Sequence, residues 1–222
     1  EHRGFADMPM EGKEPLDRAL RREIFLARHI QTHLLQGQDP VIQKGRVLGC
    51  SIPARIIGGD YYDFYPLPGG GLRIIIGGVM GKGIPAAMLM ILTRGAFRSA
   101  AESNESPSET LTAMNNALYE DLRKLGSFVT VFCADWNPEQ RLLTYSTAGH
   151  SPPLIIRNGR KLEKIPKNHG IMLGGLPHQT YSKSSLQLES GDLVFFYTDG
   201  IVDAQNPSGE MFRLERLVDL LV

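Results

Sequence analysis

The sequence predicts an α+β domain in which mainly antiparallel strands form layers flanked by helices. Three observations carry that expectation. Short β-like runs bounded by Gly, Pro and Asn-Gly turns recur between residues 47 and 197. Two helical stretches are grouped among those runs instead of alternating with them, which argues against a parallel sheet. The chain has 222 residues, 42% of them hydrophobic, enough to bury one sizeable core with a short appendage.

In chain order, residues 1–14 (EHRGFADMPMEGKE) mix charge, Gly and Pro without periodicity and read as a leader or vector remnant outside the fold. Residues 15–37 read as a connector helix. Leu16, Leu20, Ile24, Ala27, Ile30 and Leu34 recur at spacings of three and four, an apolar stripe, while Arg18, Arg21, Arg22, Glu23 and Arg28 form the solvated face. The pattern suits a helix packed on its own domain as well as one paired with a partner helix. Residues 38–222 hold the domain proper. Its expected strands are 47–52, 72–76, 129–136, 142–146, 154–157 and 193–197. Its expected helices are 85–101, rich in Ala, Met and Leu, and 107–125, opened by a Ser106 cap with Glu109 three residues on. No internal repeat interrupts this order.

Charge and composition exclude several classes. Lys plus Arg and Asp plus Glu both number 24, so no net field draws the chain to nucleic acid or an anionic membrane. No run of 18 apolar residues exists, and the first thirty residues are charged, which excludes a spanning or signal segment within this sequence. Cys50 and Cys133 have no partner at metal-ligand spacing. They read as reduced structural thiols, with a cytoplasmic location expected.

Three carboxylate-bearing or Gly-rich turns carry the chemical signal. In Gly58-Gly59-Asp60-Tyr61-Tyr62-Asp63, paired glycines free the backbone before acids whose hard oxygens suit Mg²⁺ or Mn²⁺; a turn with solvated acids is the plainer alternative. In Gly77-Gly78-Val79-Met80-Gly81-Lys82-Gly83, an apolar strand feeds a turn whose backbone can approach an ion or phosphate. This is no Walker P-loop, because the Lys lies between two glycines and no Ser or Thr follows. The third, Phe195-Phe196-Tyr197-Thr198-Asp199-Gly200, delivers Asp199 at a strand end, with Asp203 one helical turn farther on. His150 in Ala148-Gly149-His150-Ser151-Pro152-Pro153 has no nucleophile or carboxylate beside it in sequence. It reads as a hydrogen-bonded structural residue before a catalytic one. No G-x-S-x-G elbow supports a serine hydrolase.

Taken in order, A-R-x-I-Q-x-x-L-L from Ala27, P-A-x-x-x-G-G-D-Y-Y-D from Pro53, G-V-M-G-K-G-I-P-A-A from Gly78, T-A-G-H-S-P-P from Thr147 and Y-T-D-G-I-V-D-A from Tyr197 resemble the SpoIIE-type (RsbU-like) branch of the metal-dependent PPM serine/threonine protein phosphatases. The resemblance spans residues 27 to about 219. It implies a β-sandwich of mainly antiparallel sheets flanked by helices, with two Mn²⁺ or Mg²⁺ ions in an acidic cleft. By the same resemblance Asp60 and Asp199 are the catalytic, metal-binding acids and the Val79 carbonyl is a further ligand. The implied reaction is hydrolysis of phosphoserine or phosphothreonine by a metal-activated water, which needs no protein nucleophile.

Two departures from the family pattern stand out. Gly78 occupies the position where the family carries an aspartate that bridges the ions, so their mutual repulsion is less compensated and catalysis is expected to be impaired. An introduced change, an inactive relative and a site that recruits another ligand all remain open as its origin. The sequence also stops in the amphipathic stretch 214–222, short of the family's terminal strand and last metal-binding aspartate. The partners implied are a phosphorylated regulatory protein of the anti-sigma-factor antagonist type, an N-terminal sensory domain and a second copy met through residues 15–36. A noncatalytic phosphoprotein-binding module is the competing class, and a small-molecule phosphatase a third.

Overall fold

The computed structural model describes residues 13–35, 39–53, 56–103, 105–163, 165 and 169–222. Most of the leader expected at residues 1–14 lies outside them, and the first helix, α1 (Lys13–Leu35), already includes Lys13. The fold is built on a hairpin of β1 (Asp60–Pro66) and β2 (Leu72–Val79), joined across a 3₁₀ turn at Pro68–Gly70. Helices α2 (Ile84–Ser103) and α3 (Pro107–Lys124) follow, then β3 (Val129–Asn137), β4 (Leu142–Ala148), β5 (Leu154–Arg157), β6 (Lys161–Glu163), β7 (Ser184–Gln187) and β8 (Leu193–Phe195). Two short helices, α4 (Asp199–Val202) and α5 (Arg213–Leu221), complete it.

Two antiparallel sheets result, in the orders β1-β2-β3-β4-β7 and β6-β5-β8. The strands β2 and β3 read as near-continuous apolar runs because both faces of the larger sheet are covered. On one face Tyr61, Ile75, Val131 and Cys133 pack with Met90 and Phe97 of α2 and Leu111, Met114 and Leu118 of α3. On the other, Leu72, Phe132, Ala134, Trp136 and Tyr145 pack with Ile155 and Val194 of the smaller sheet. Alternate residues of β3 supply the two cores, as the period of a strand requires. Each large apolar side chain buried this way contributes roughly 1.5–3 kcal/mol. The helix side also encloses Arg73, whose guanidinium forms a fork on Asp135 across the β2–β3 pair at 2.7 and 2.8 Å and reaches Thr110 of α3 at 2.7 Å.

The structure corrects three readings. Residues 47–52 form no strand and join no sheet; Gly49 lies against the Tyr62 ring, so closely that a Cβ there would sit 2.2 Å from a ring carbon. Cys50 in that segment is exposed, unlike the buried Cys133, and is no core thiol. The segment around Asp60 to Asp63 is a strand start, not a turn, because its aromatic residues alternate against β2.

The apolar stripe of α1 is mostly uncovered: Leu20 is 51% and Ile30 59% exposed, and Phe25 beside the stripe 64%. A polar residue anchors the helix. Gln31, 5% exposed, donates from Nε2 to the Gly58 carbonyl at 2.8 Å and accepts from the Gly58 N–H at 3.2 Å, pairing with the backbone as a neighbouring strand would.

Candidate functional site

The site forms at one end of the space between the sheets. Register places Asp60 of β1 opposite Gly78 of β2, and Gly78 opposite Thr130 of β3. Directly opposed residues in an antiparallel pair face the same side, so the three form one row across the sheet. The close approach of the chain just before Asp60 depends on Gly59: a Cβ there would lie 2.9 Å from the Ala86 Cβ and 3.2 Å from the Val79 carbonyl oxygen. The Val79 carbonyl therefore sits beside the Gly59–Asp60 backbone, and the Val79 N–H donates to the Gly59 carbonyl at 3.1 Å.

The β8–α4 connection comes to the same place. Thr198 donates its hydroxyl to Asp60 Oδ2 at 2.7 Å, across 138 residues of sequence. A Cβ on Gly200 would lie 3.2 Å from the same oxygen, so Asp199, between these two residues, is brought beside Asp60. Asp60 is exposed at the rim, yet its pKa is raised. Desolvation is the largest cause, the Thr198 hydroxyl bond opposes it, and the Asp199 charge adds to it. A carboxylate so placed is short of positive charge. His150 completes the wall through both ring nitrogens, to Thr130 Oγ1 and to the Tyr197 carbonyl.

Asp63 does not join this group. Three residues from Asp60 on a strand, it faces the helices, where it accepts from Tyr61 Oη at 3.0 Å and pairs with Arg98 at 3.0 Å and Arg94 at 3.7 Å. Its parity was hidden while the segment read as a turn. Asp203 caps α4, donating its backbone N–H to the Asp199 carbonyl at 2.8 Å. Sequence reasoning missed Thr198 as a partner of Asp60 and Gln31 as the anchor before Gly59; only the adjacency of Thr198 to Asp199 hinted at the first.

Among the described residues no three His, Cys, Asp or Glu side chains gather as a metal cluster. The donors present are two carboxylates, Asp60 and Asp199, and the Val79 carbonyl, hard oxygens of the class that Mg²⁺ and Mn²⁺ accept. Oxygen donors of this class would suit a divalent ion, and Gly78, opposite Asp60 in the register, adds no carboxylate to them. Gly78 is not required by the backbone: its φ is not positive, and a Cβ there would meet Asp60 Oδ1 at 3.4 Å and Thr130 Oγ1 at 3.9 Å, ordinary contacts directed into the site.

The family profile of Stage II sporulation protein E (SpoIIE) matches residues 68–222, more than half of the chain. The chain belongs to the SpoIIE family. Gly78, Val79, His150 and Asp199 lie within the matched residues, while α1 and Asp60 precede them. The phosphoserine phosphatase RsbU of Bacillus subtilis is 28% identical over 218 residues, which cover 97% of this chain and 64% of RsbU. The RsbU and RsbW domains of Rv1364c from Mycobacterium tuberculosis are similar in structure, with a TM-score of 0.62 and 27% identity over 75% of this chain and 46% of that one. The SiaA-PP2C domain of Pseudomonas aeruginosa matches the fold at a TM-score of 0.72 and 21% identity, covering 93% of this chain and 82% of that domain. The layered antiparallel architecture is thus that of the PP2C-type phosphatase domains. This SpoIIE-family domain spans less than two thirds of the length of RsbU.

Proposed function

We propose that the chain is a metal-dependent serine/threonine protein phosphatase domain, impaired by Gly78, acting on a regulatory protein of the anti-sigma-factor antagonist type in the cytoplasm. The observation that carries the reading is the convergence of Asp60 and Asp199, distant in sequence, beside the Gly77–Gly83 bend. Likeness to a phosphoserine phosphatase, and to a chain that joins RsbU and RsbW domains, supports the substrate class. Among the described residues no helix is long and apolar enough to cross a membrane.

In this reading Asp60, Asp199 and the Val79 carbonyl hold Mn²⁺ or Mg²⁺. A bound divalent cation supplies Lewis acidity and lowers the pKa of water. Thr198 fixes the Asp60 carboxylate, and no side-chain nucleophile is needed. Water oxygen forms the new bond to phosphorus as the bond to the Ser or Thr oxygen breaks, and that oxygen takes a proton. A carboxylate about 4 Å from a dication contributes on the order of several kcal/mol of attraction at an effective dielectric near 20, so its lack at position 78 favours one ion over two.

The test is turnover of a phosphoserine peptide with Mn²⁺ by the chain and by Gly78→Asp. Turnover at least about tenfold faster in the variant is expected if the missing ligand limits catalysis. The lack of a side chain at Gly78 also favours a second reading, a noncatalytic phosphoprotein-binding module. Two inert proteins that both retain phosphopeptide binding would establish that module and sink the enzyme. The exposed stripe of α1 supports its pairing with a second copy, as a connector from a sensory domain.

A further inference from the structure

The turn after β4 needs a glycine, because Gly149 has φ +72° and a Cβ there would meet the Met172 backbone nitrogen at 3.2 Å. Gly149 forms a parallel bridge with Val131 of β3, and the His150 N–H donates to Thr147 Oγ1 at 3.2 Å. The backbone is thereby fixed and the imidazole spans two elements. Its Nε2 lies 3.1 Å from the Tyr197 carbonyl, which can only accept, so Nε2 carries the ring proton. Burial favours the neutral ring. Nδ1 then accepts from the Thr130 hydroxyl at 3.1 Å, nearer than the Gly78 carbonyl that the same hydroxyl reaches at 3.4 Å. Thr130 stands in the Asp60–Gly78 row, and Tyr197 leads through Thr198 into Asp199.

We propose that His150 is a positioning residue, a strut that sets the distance between the Asp60 row on the larger sheet and the loop that presents Asp199. Both ring nitrogens are engaged, so neither is left for a reacting group; a general base needs a free lone pair within reach of its proton. The geometric claim stands on these bonds, and what the strut serves rests on the metal-phosphatase reading.

The experiment separates the two. In the metal-free protein, His150→Ala is expected to speed amide hydrogen exchange in residues 197–203 by at least about tenfold, leaving residues 107–124 unchanged. His150→Gln should recover most of the protection, since its amide can donate to the same carbonyl. Unchanged exchange in 197–203, or faster exchange throughout without rescue by Gln, would overturn the strut. In the Gly78→Asp background, calorimetric titration with Mn²⁺ should show His150→Ala weakening affinity about 10- to 100-fold, as loss of an outer-shell partner does. Raising Mn²⁺ should then restore kcat on p-nitrophenyl phosphate. Turnover still lost at saturating Mn²⁺ would make His150 a reacting group and refute positioning. If Gly78→Asp itself binds no Mn²⁺, the phosphatase reading fails, while the exchange result still decides the strut.

Discussion

Arg73 is fully buried, and its charge is tolerated because Asp135 and Thr110 satisfy it. Removing one partner of such a pair leaves the other charge without compensation. Arg73→Ala is therefore expected to destabilise the domain by about 3–5 kcal/mol in urea unfolding, whereas an apolar pair at 73 and 135 should cost far less. An Arg73→Ala protein as stable as the parent would show that water reaches Asp135. Charge placement of this kind was not legible in the sequence, where Arg73 interrupts an apolar strand without a visible partner. The same limit explains Asp63. Its distance from Asp60 along the chain is short, but strand parity turns it to the opposite face, and parity is known only once β1 is known to be a strand. As metal-binding acids, Asp60 and Asp199 were singled out by the family resemblance and not by a local pattern; the structure adds that Thr198 and Gly200 bring the loop bearing Asp199 to the Asp60 carboxylate.

Helices were the most legible elements. Periodicity and the Ser106–Glu109 cap located α3 to within a residue, and both bonds of its capping box are present. Ser106→Ala is expected to cost about 1 kcal/mol, read as a shift in the urea midpoint with the slope unchanged. A shift indistinguishable from zero would mean that Glu109 alone holds the terminus. The short strands β6 and β7 went unseen because they exist through their neighbours, β6 by pairing with β5 and β7 by pairing with β4. For α1 the periodic stripe was read correctly as apolar, yet the side chain that docks the helix is the polar Gln31. Pairing of α1 between copies predicts a dimer mass in analytical ultracentrifugation that falls to monomer when Leu20 and Ile30 are both changed to Lys. A monomer at every concentration for the parent would refute the pairing.

At the scale of the whole molecule, the larger sheet is sandwiched between helices and the smaller sheet, so the depth of a residue follows from its strand parity. Cys133, central in β3, is fully buried and its thiol is pushed well up by desolvation, while Cys50 is exposed. Iodoacetamide should alkylate one thiol in the native protein and the second only after unfolding; rapid labelling of both would show that the sandwich opens. The α+β class was legible from composition and the grouping of helices, whereas the order β1-β2-β3-β4-β7 joins segments far apart in sequence that no local pattern encodes. The row Asp60, Gly78, Thr130 has a consequence for how this domain tolerates length changes. The tip that closes the first hairpin, held by the Leu67 N–H on the Gly71 carbonyl at 2.9 Å, decides which residue of β1 meets Gly78. One residue inserted there and absorbed by sliding the strand would turn Asp60 toward the helices and Tyr61 toward the cleft. At that bend the number of residues, as distinct from their identity, holds the Asp60 row in place.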